Sequence, residues 1–542
     1  MIIIKGKGVF SAVGIGKILF ITKRDTEIKH KKSENFELER TRFKEAKASA
    51  LKQLAELYEK ALKEVGEEHA EIFEIHQMLL EDEDYNASVN ELIELAQFTA
   101  EYAVRLASDR FAAMFSSMDD EYMKARASDI KDVSDRIIDN LLGRVSKLED
   151  TDGRYIIFAD DLTPSETVML DKRKVLGFVT RFGSSNSHTS ILARNMNIPA
   201  VIGAEGIDEA MNGKTAAVNG FTGTVYIDPD QETLKMISEL AEAINKKKQL
   251  LEDLRGKENV TLDGTKIKLY ANIGSPEDVE SVLKNDADGI GLFRSEFLYL
   301  ESDDFPSEET QFNAYKKVLE SMGTKKVIIR TMDIGADKQI DYFGLSKEEN
   351  PALGFRAIRI CLAYPEIFRT QLRALLRASV YGNLGIMFPM ITTFDEILEI
   401  KGIVNDVKSA LYSEGIAYSD SIEYGIMIET PAAAIMSDVL VPEVDFFSVG
   451  TNDLIQYTLA ADRQNPKLES FCDTHYEAVL RLIEYATSCA HKYGKWIGIC
   501  GELGADTRLT ERWLKMGIDE LSVSPPFVLT VRDKIRKINL KH

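Results

Sequence analysis

Beyond residue 258 the chain repeats one pattern eight times, a short β-rich run followed by an amphipathic stretch. The runs are Ile267 to Ala271, Gly289 to Phe293, Val327 to Arg330, Gly385 to Phe388, Gly425 to Ile428, Phe446 to Val449, Trp496 to Cys500 and Leu521 to Val523. Strands that alternate with helices pair in parallel through crossovers, and eight such units in about 260 residues predict a (β/α)8 TIM-type barrel over 258–542. The third crossover is unusually long, which predicts an elaborated loop on one rim.

A chain of 542 residues is too long for one core, since single cores stop growing near roughly 250 to 300 residues. Residues 1–22 read as two strands, Ile2 to Ile4 and Lys17 to Thr22, around a turn at Gly14-Ile15-Gly16. From Ser33 to Leu142 there is no proline, and Ala, Leu, Glu and Lys recur at helical spacing. Strand-like text returns at Tyr155 to Phe158, Val175 to Thr180, Thr215 to Asn219 and Thr224 to Ile227. The simplest division is a multidomain α/β chain: a discontinuous α/β domain (1–22 and 146–229), an inserted all-α bundle (23–145), a polar linker helix (230–257) and the barrel.

The formal net charge of -21 argues against a nucleic-acid partner, whose footprint would be basic. An acidic protein that handles an anion is therefore expected to concentrate arginines locally. Cys361, Cys472, Cys489 and Cys500 lack paired spacing and read as reduced thiols rather than a disulfide or zinc framework. The apolar run at Ile2 to Ile4 is too short for a signal peptide, and no stretch approaches a membrane span. The expectation is a cytoplasmic protein without membrane insertion.

In a barrel, chemistry collects where strands end. Those positions carry Arg294, Arg330, Glu429, Asn452, Asp453 and Cys500. Glu429 and Asp453 read either as loop-capping carboxylates or as ligands for a hard cation such as Mg2+, and the arginines around them favour the cation. Arg294, Arg330, Arg356 and Arg463 offer forks that match phosphate and carboxylate, although each alone reads as a surface ion pair; Lys338 adds a further positive charge. Cys500 reads as nucleophile, proton donor or inert core thiol.

Outside the barrel, Arg181-Phe-Gly-Ser-Ser-Asn-Ser-His188 delivers a histidine to the start of a predicted helix. The dipole there suits a phosphoryl group on the imidazole, which makes His188 either a covalent way-station or a structural histidine held by neighbouring hydroxyls. The run Glu64 to Asp84 holds nine acids and no Lys or Arg, and on charge alone it reads as a solvated helix face.

Eight motifs in one order then resemble a known family along nearly the whole chain: Leu162-Thr-Pro-Ser-Glu-Thr167, Ser187-His-Thr-Ser-Ile-Leu-Ala-Arg194, Gly291-Leu-Phe-Arg-Ser-Glu-Phe297, Arg330-Thr-Met-Asp-Ile-Gly335, Met387-Phe-Pro-Met390, Ile428-Glu-Thr-Pro431, Gly450-Thr-Asn-Asp-Leu454 and Cys500-Gly-Glu502. They are similar to the enzyme I family of the sugar phosphotransferase system. The resemblance implies a phosphohistidine at His188, with Thr167 bonding its ring. It implies that phosphoenolpyruvate is gripped by Arg294, Arg330, Asn452 and Arg463, assisted by Arg356 and Lys338, and that Mg2+ is held by Glu429 and Asp453. Cys500 would protonate the enolate carbon as pyruvate forms.

The resemblance further implies that the helical domain docks the carrier protein HPr, with the text around Glu67, Glu74, His76 and Glu83 as the partner surface, and that the barrel carries a homodimer contact. Since His188 must visit both the barrel and the carrier, a domain swivelling about hinges near 146 and 229–258 is expected. A dikinase or phosphoenolpyruvate synthase would need a nucleotide-grasp domain where this chain reads as helical. A silent phosphorelay scaffold would not need His188, Glu429, Asp453 and Cys500 together.

Overall fold

The computed structural model describes residues 1–21, 28, 30–65, 67–118, 121–144, 153–162, 166–167, 170–171, 173–183, 188–196, 198–335, 340–346, 348–462, 468 and 477–541. Two units arise from the chain, Met1–Lys246 and Lys247–His542.

The first unit opens with three strands, β1 (Ile2–Lys5), β2 (Lys7–Phe10) and β3 (Val13–Ile21). Five helices follow: α1 (Phe36–Val65), α2 (Glu67–Glu81), α3 (Glu83–Glu94), α4 (Ala100–Ser116) and α5 (Glu121–Leu141). Then come β4 (Tyr155–Ala159), β5 (Val175–Thr180), the helix His188–Met196, β6 (Ala200–Ile202), β7 (Thr215–Asn219), β8 (Thr224–Ile227) and the helix Gln231–Glu252. Strands from both sides of the helical stretch join one sheet, ordered β1-β8-β7-β3-β4-β5-β6-β2.

Alternation along β4 divides the core of that sheet. Ile156 and Phe158 pack on one face, while Tyr155, Ile157 and Ala159 pack on the other with Leu192 and Ala193 of the helix His188–Met196. The sequence reading of a turn at Gly14 to Gly16 is corrected here, because both glycines lie inside β3. A Cβ at Gly14 would stand 2.5 Å from the Leu176 carbonyl oxygen, so the glycines serve a close approach rather than a bend. β2 and the three-residue β6, paired antiparallel at one end of the sheet, were not anticipated.

Helices α1 to α5 pack around their own core, including Phe73, Tyr85, Val104 and Val133. Asp82 separates α2 from α3 and caps the latter by accepting from the Tyr85 N–H at 2.7 Å. On α2, Phe73, His76 and Leu80 share the buried face, whereas Glu74 and Met78 are exposed. His76 therefore does not belong to a partner surface; its ring is fully buried beside Asp129 and Asp132.

The second unit is a closed barrel of eight parallel strands: β9 (Lys268–Ile273), β10 (Ile290–Arg294), β11 (Lys326–Arg330), β12 (Asn383–Phe388), β13 (Glu423–Ile428), β14 (Phe446–Val449), β15 (Trp496–Ile499) and β16 (Glu520–Val523). Closure comes from β16 on β9, with Val523 opposite Ala271. Outward residues such as Leu269, Ile329 and Ile426 meet the surrounding helices, while Leu292, Ile328, Met387, Met427, Phe446 and Cys500 fill the interior. Between β11 and β12 the long crossover holds short helical turns at Asp341–Phe343 and Pro351–Leu353 before the helices Ile358–Ala363 and Pro365–Ala378. Among the described residues, no helix is long and apolar enough to cross a membrane.

Candidate active site

The carboxyl ends of the barrel strands surround a cavity of about 920 Å³ whose lining includes Arg294, Arg330, Arg356, Glu429, Asn452, Asp453 and Cys500. Seven of the residues read from the sequence thus share one mouth. Arg463 and Lys338 lie outside the described residues.

Arg330 ends β11 and is almost wholly buried; its guanidinium pairs with Glu296 at 3.0 Å and Asp333 at 2.8 Å. Asp333 also receives Arg356 at 2.7 Å, and Arg356 reaches Asp453 at 3.6 Å and the Tyr457 hydroxyl at 3.3 Å. Burial opposes the charge on both arginines, but the adjoining carboxylates outweigh it and hold their pKa values above the ordinary one. Neither is the surface ion pair that the bland reading of an arginine suggests. Arg294 differs: it is exposed at the end of β10 and has no charged or hydrogen-bonding partner among the described residues.

Glu429 follows β13 and is 1% exposed, accepting from the Met390 N–H across the mouth. It does not cap its own loop; Thr430 caps the next helix. Burial, then repulsion from Asp333 and Asp453, pushes its pKa up to about 8 against the pull of Arg330. Gly450 makes room for this side chain, since a Cβ there would lie 2.8 Å from Glu429 Oε2. Asn452 and Asp453 sit in the first turn of the helix Thr451–Leu459, and the Asn452 amide donates to Glu502 at 3.2 Å. Cys500 is fully buried at the cavity floor, its thiol pushed up to about 12 by burial. It is protonated at neutral pH, which removes the nucleophile reading and leaves a proton donor or an inert thiol.

Arginines do gather at the mouth, but acids gather there in greater number. Among the described residues the lining has three arginines and seven acids. Glu296 and Asp333 are committed to Arg330 and Arg356, while Glu429 is left with its charged form opposed, and Asp453 stands on the same lining. Two carboxylates facing a wet cavity fit Mg2+, which takes one or two protein carboxylates and completes its octahedron with water and substrate oxygens. Among the described residues, no group of three or more acids, histidines and cysteines is gathered for a metal. Glu296 and Asp333 were missed in the sequence although their motifs were noted. The signal was an acid two residues after Arg294 and another three after Arg330.

In the first unit, His188 opens the helix His188–Met196. Its ring and the loop before it lie outside the described residues, so the bond from Thr167, which is buried, lies outside them too. Cys361, Cys489 and Cys500 are free thiols, and Cys472 is not among the described residues.

Comparison with known proteins gives the class first. Residues 248–540 match the PEP-binding domain of PEP-utilising enzymes, residues 5–126 their N-terminal domain and residues 151–223 their mobile domain. The phosphoenolpyruvate-protein phosphotransferase of Bacillus subtilis (strain 168) is 45% identical over 99% of this chain and 94% of its own length. Those of Staphylococcus carnosus (strain TM300) and Lactococcus lactis subsp. lactis (strain IL1403) are 42% and 44% identical over the same shares. The chain belongs to the phosphoenolpyruvate-protein phosphotransferase family, the enzyme I family that its motifs resemble.

Proposed function

We propose that this protein takes the phosphoryl group of phosphoenolpyruvate onto His188, releases pyruvate, and passes the group to a histidine of the carrier HPr, the first step of sugar uptake by the phosphotransferase system. The observation that carries the reading is the barrel mouth, where a free Arg294 and a braced Arg330–Asp333–Arg356 array stand beside two carboxylates and above a protonated thiol. Phosphoryl transfer asks for positioning and charge neutralisation more than covalent help.

Arg294, Arg330 and Asn452 grip the phosphate and carboxylate of the substrate, Arg463 and Lys338 complete the grip, and Arg356 braces the array. Bound between Glu429 and Asp453, Mg2+ would neutralise charge on the transferring group. The imidazole of His188 attacks phosphorus as the bridging oxygen leaves, and Thr167 orients that ring. The enolate so formed takes the Cys500 S–H proton at its methylene carbon. A buried thiol with a raised pKa suits this task, because it keeps its proton until a strong carbon base arrives.

The swivelling α/β domain would comprise 1–22 and 146–229, the HPr-binding helical domain 23–145, the linker helix 230–257 and the substrate barrel 258–542, which also pairs two copies of the chain. A cytoplasmic location follows from the substrate and carrier. Relatives that bear the phosphotransferase name over 94% of their length favour this reading over a dikinase or a silent scaffold.

Incubation with labelled phosphoenolpyruvate and Mg2+ tests it. An acid-labile, base-stable label is expected on the wild type and none on His188→Ala. Delivery of label to HPr by His188→Ala at the normal rate refutes the proposal.

A further inference from the structure

Below the cavity the barrel interior is not wholly apolar. Ser448 of β14, Gly498 of β15 and Glu520 of β16 are register neighbours on successive strands. The Glu520 side chain points inward across the lane that Gly498 leaves open, since a Cβ on Gly498 would stand 1.8 Å from Glu520 Oε2. On the other side, a Cβ on Gly291 would lie 2.5 Å from both Glu520 Oε1 and Ser522 Oγ. Two glycines therefore clear the space that one carboxyl occupies.

That carboxyl is 1% exposed, and its Oε1 has no hydrogen-bond partner among the described residues. Burial holds its pKa well above the carboxylate range, with Lys268 pulling the other way and Asp519 adding to the rise. Burial in this pocket favours the neutral, protonated carboxyl over the carboxylate. Lys268 does not capture it: the lysine is exposed at the start of β9, its ammonium 4.9 Å over the Trp496 ring.

Cys500 stands two residues beyond Gly498, on the same side of the strand line and so one step nearer the mouth. Ser448 Oγ makes no hydrogen bond of ordinary length among the described residues, yet it lies close enough to the Cys500 thiol to draw its pKa down against burial. The Ser522 hydroxyl donates to Asn272 Oδ1 at 2.6 Å, and Asn272 Nδ2 donates to the Cys500 carbonyl at 3.0 Å, which fixes the frame around the thiol. Two unsatisfied buried groups, an acid and a hydroxyl, thus sit in one layer directly beneath a thiol. Buried orphans of this kind call for a functional account.

We propose that Glu520, acting through the Ser448 hydroxyl, is the proton reservoir that recharges Cys500 between turnovers. The inference rests on the reading of Cys500 as proton donor. Once its S–H proton has gone to the enolate carbon, a thiolate remains at the cavity floor. The Ser448 O–H proton passes to sulfur as the Glu520 carboxyl proton passes to the serine oxygen, directly or across one water. The Glu520 carboxylate then takes a proton from solvent at the base of the barrel, on the side of exposed Lys268. One solvent proton enters for each C–H bond formed in pyruvate. Supply from below leaves the mouth free for substrate and the histidine.

The experiment is rapid-quench measurement of pyruvate with the full-length protein, Mg2+ and excess HPr as acceptor. Glu520→Gln keeps size and polarity but cannot relay the proton. Its first equivalent of pyruvate should form at the wild-type rate, because Cys500 starts charged, and later turnovers should slow by about 10²-fold, the scale of one acid–base group. Ser448→Ala should give the same two phases and carries the test alone if Glu520→Gln does not fold. Either variant without a burst, whether at the wild-type rate or slowed equally in first and later turnovers, overturns the relay. Cys500→Ala separates the two ideas. A slow first turnover supports the donor, whereas a wild-type rate overturns donor and relay together. A slow Cys500→Ala beside burst-free Glu520→Gln and Ser448→Ala overturns the relay alone.

Discussion

In the helical bundle, the fully buried His76 stands 3.6 Å from Asp129 and 3.7 Å from Asp132, and Arg126 pairs with Asp129 at 2.7 Å. Burial works against the charge on Asp129, yet His76 and Arg126 outweigh it and hold that carboxyl below its usual pKa. At the barrel mouth, Arg330 and Arg356 likewise share Asp333, but Glu429 is left above its usual range, with its charged form opposed. At Asp129 the bundle closes its charges upon one another. The mouth keeps an imbalance facing a cavity, and that imbalance, rather than burial itself, marks a place built for a ligand.

The hardest test of this contrast is Asp333→Asn. It removes the anion between two arginines, and kcat/KM for phosphoenolpyruvate should fall by roughly 10³ while circular dichroism shows an intact barrel. Activity within tenfold of wild type would put the mouth in the same structural class as the bundle. Asp129→Asn is the counterpart. It takes the 2.7 Å partner from Arg126 and should cost about 3 kcal/mol in denaturant unfolding, with self-phosphorylation by phosphoenolpyruvate unchanged. Loss of that step without loss of stability would break the distinction from the other side.

The two regions also differed in how well they could be read in advance. All eight barrel strands lay within a few residues of their predicted bounds, because each is a short apolar run set off by polar or helical text. Arg294, Glu429 and Cys500 were legible for the same reason, since the end of such a run is the rim. Glu296 and Asp333 were not, because their value comes from pairing across strands, which no local pattern records. Inward polar Glu520 looks like an ordinary strand start until its neighbours Gly498 and Gly291 are placed beside it. In the bundle, the family resemblance puts His76 on a partner surface with Glu67, Glu74 and Glu83, although Phe73 and Leu80, at i−3 and i+4, place it on the apolar stripe. Gly14 and Gly16 were read as a turn because glycine permits bends and close strand contact alike.

A smaller effect sharpens the bundle side. The buried Tyr85 hydroxyl shares a 2.7 Å hydrogen bond with Ser134, and burial pushes its pKa up to about 12 from 10.0. The unfolded chain loses this proton as pH rises through 10, while the native state holds it. The stabilisation is therefore complete below pH 10 and declines above it, by about 1.4 kcal/mol per pH unit until pH 12. Tyr85→Phe should flatten that slope in unfolding experiments and leave turnover at neutral pH untouched. A change in turnover would mean that the bundle core reaches the chemistry after all.

The smallest effect lies in the backbone. Gln97 (φ 56°) is exposed between α3 and α4, while Ala357 (φ 53°) follows Arg356, and Met390 (φ 58°) supplies the N–H that Glu429 accepts. The left-handed region costs a non-glycine residue about 1 kcal/mol, so Gln97→Gly should raise stability by up to that amount with KM unchanged. Ala357 is fully buried and joins its φ of 53° to a ψ of −127°, outside the left-handed helical well, so Ala357→Gly sets a relief of about 1 to 3 kcal/mol against about 0.8 kcal/mol of lost methyl burial. Its stability should hold or rise slightly. What should move is KM for phosphoenolpyruvate, upward by a few-fold, because the strained peptide fixes where Arg356 starts and glycine lets it wander. Equal KM values for the two variants would make the strain at the mouth as idle as the strain in the loop.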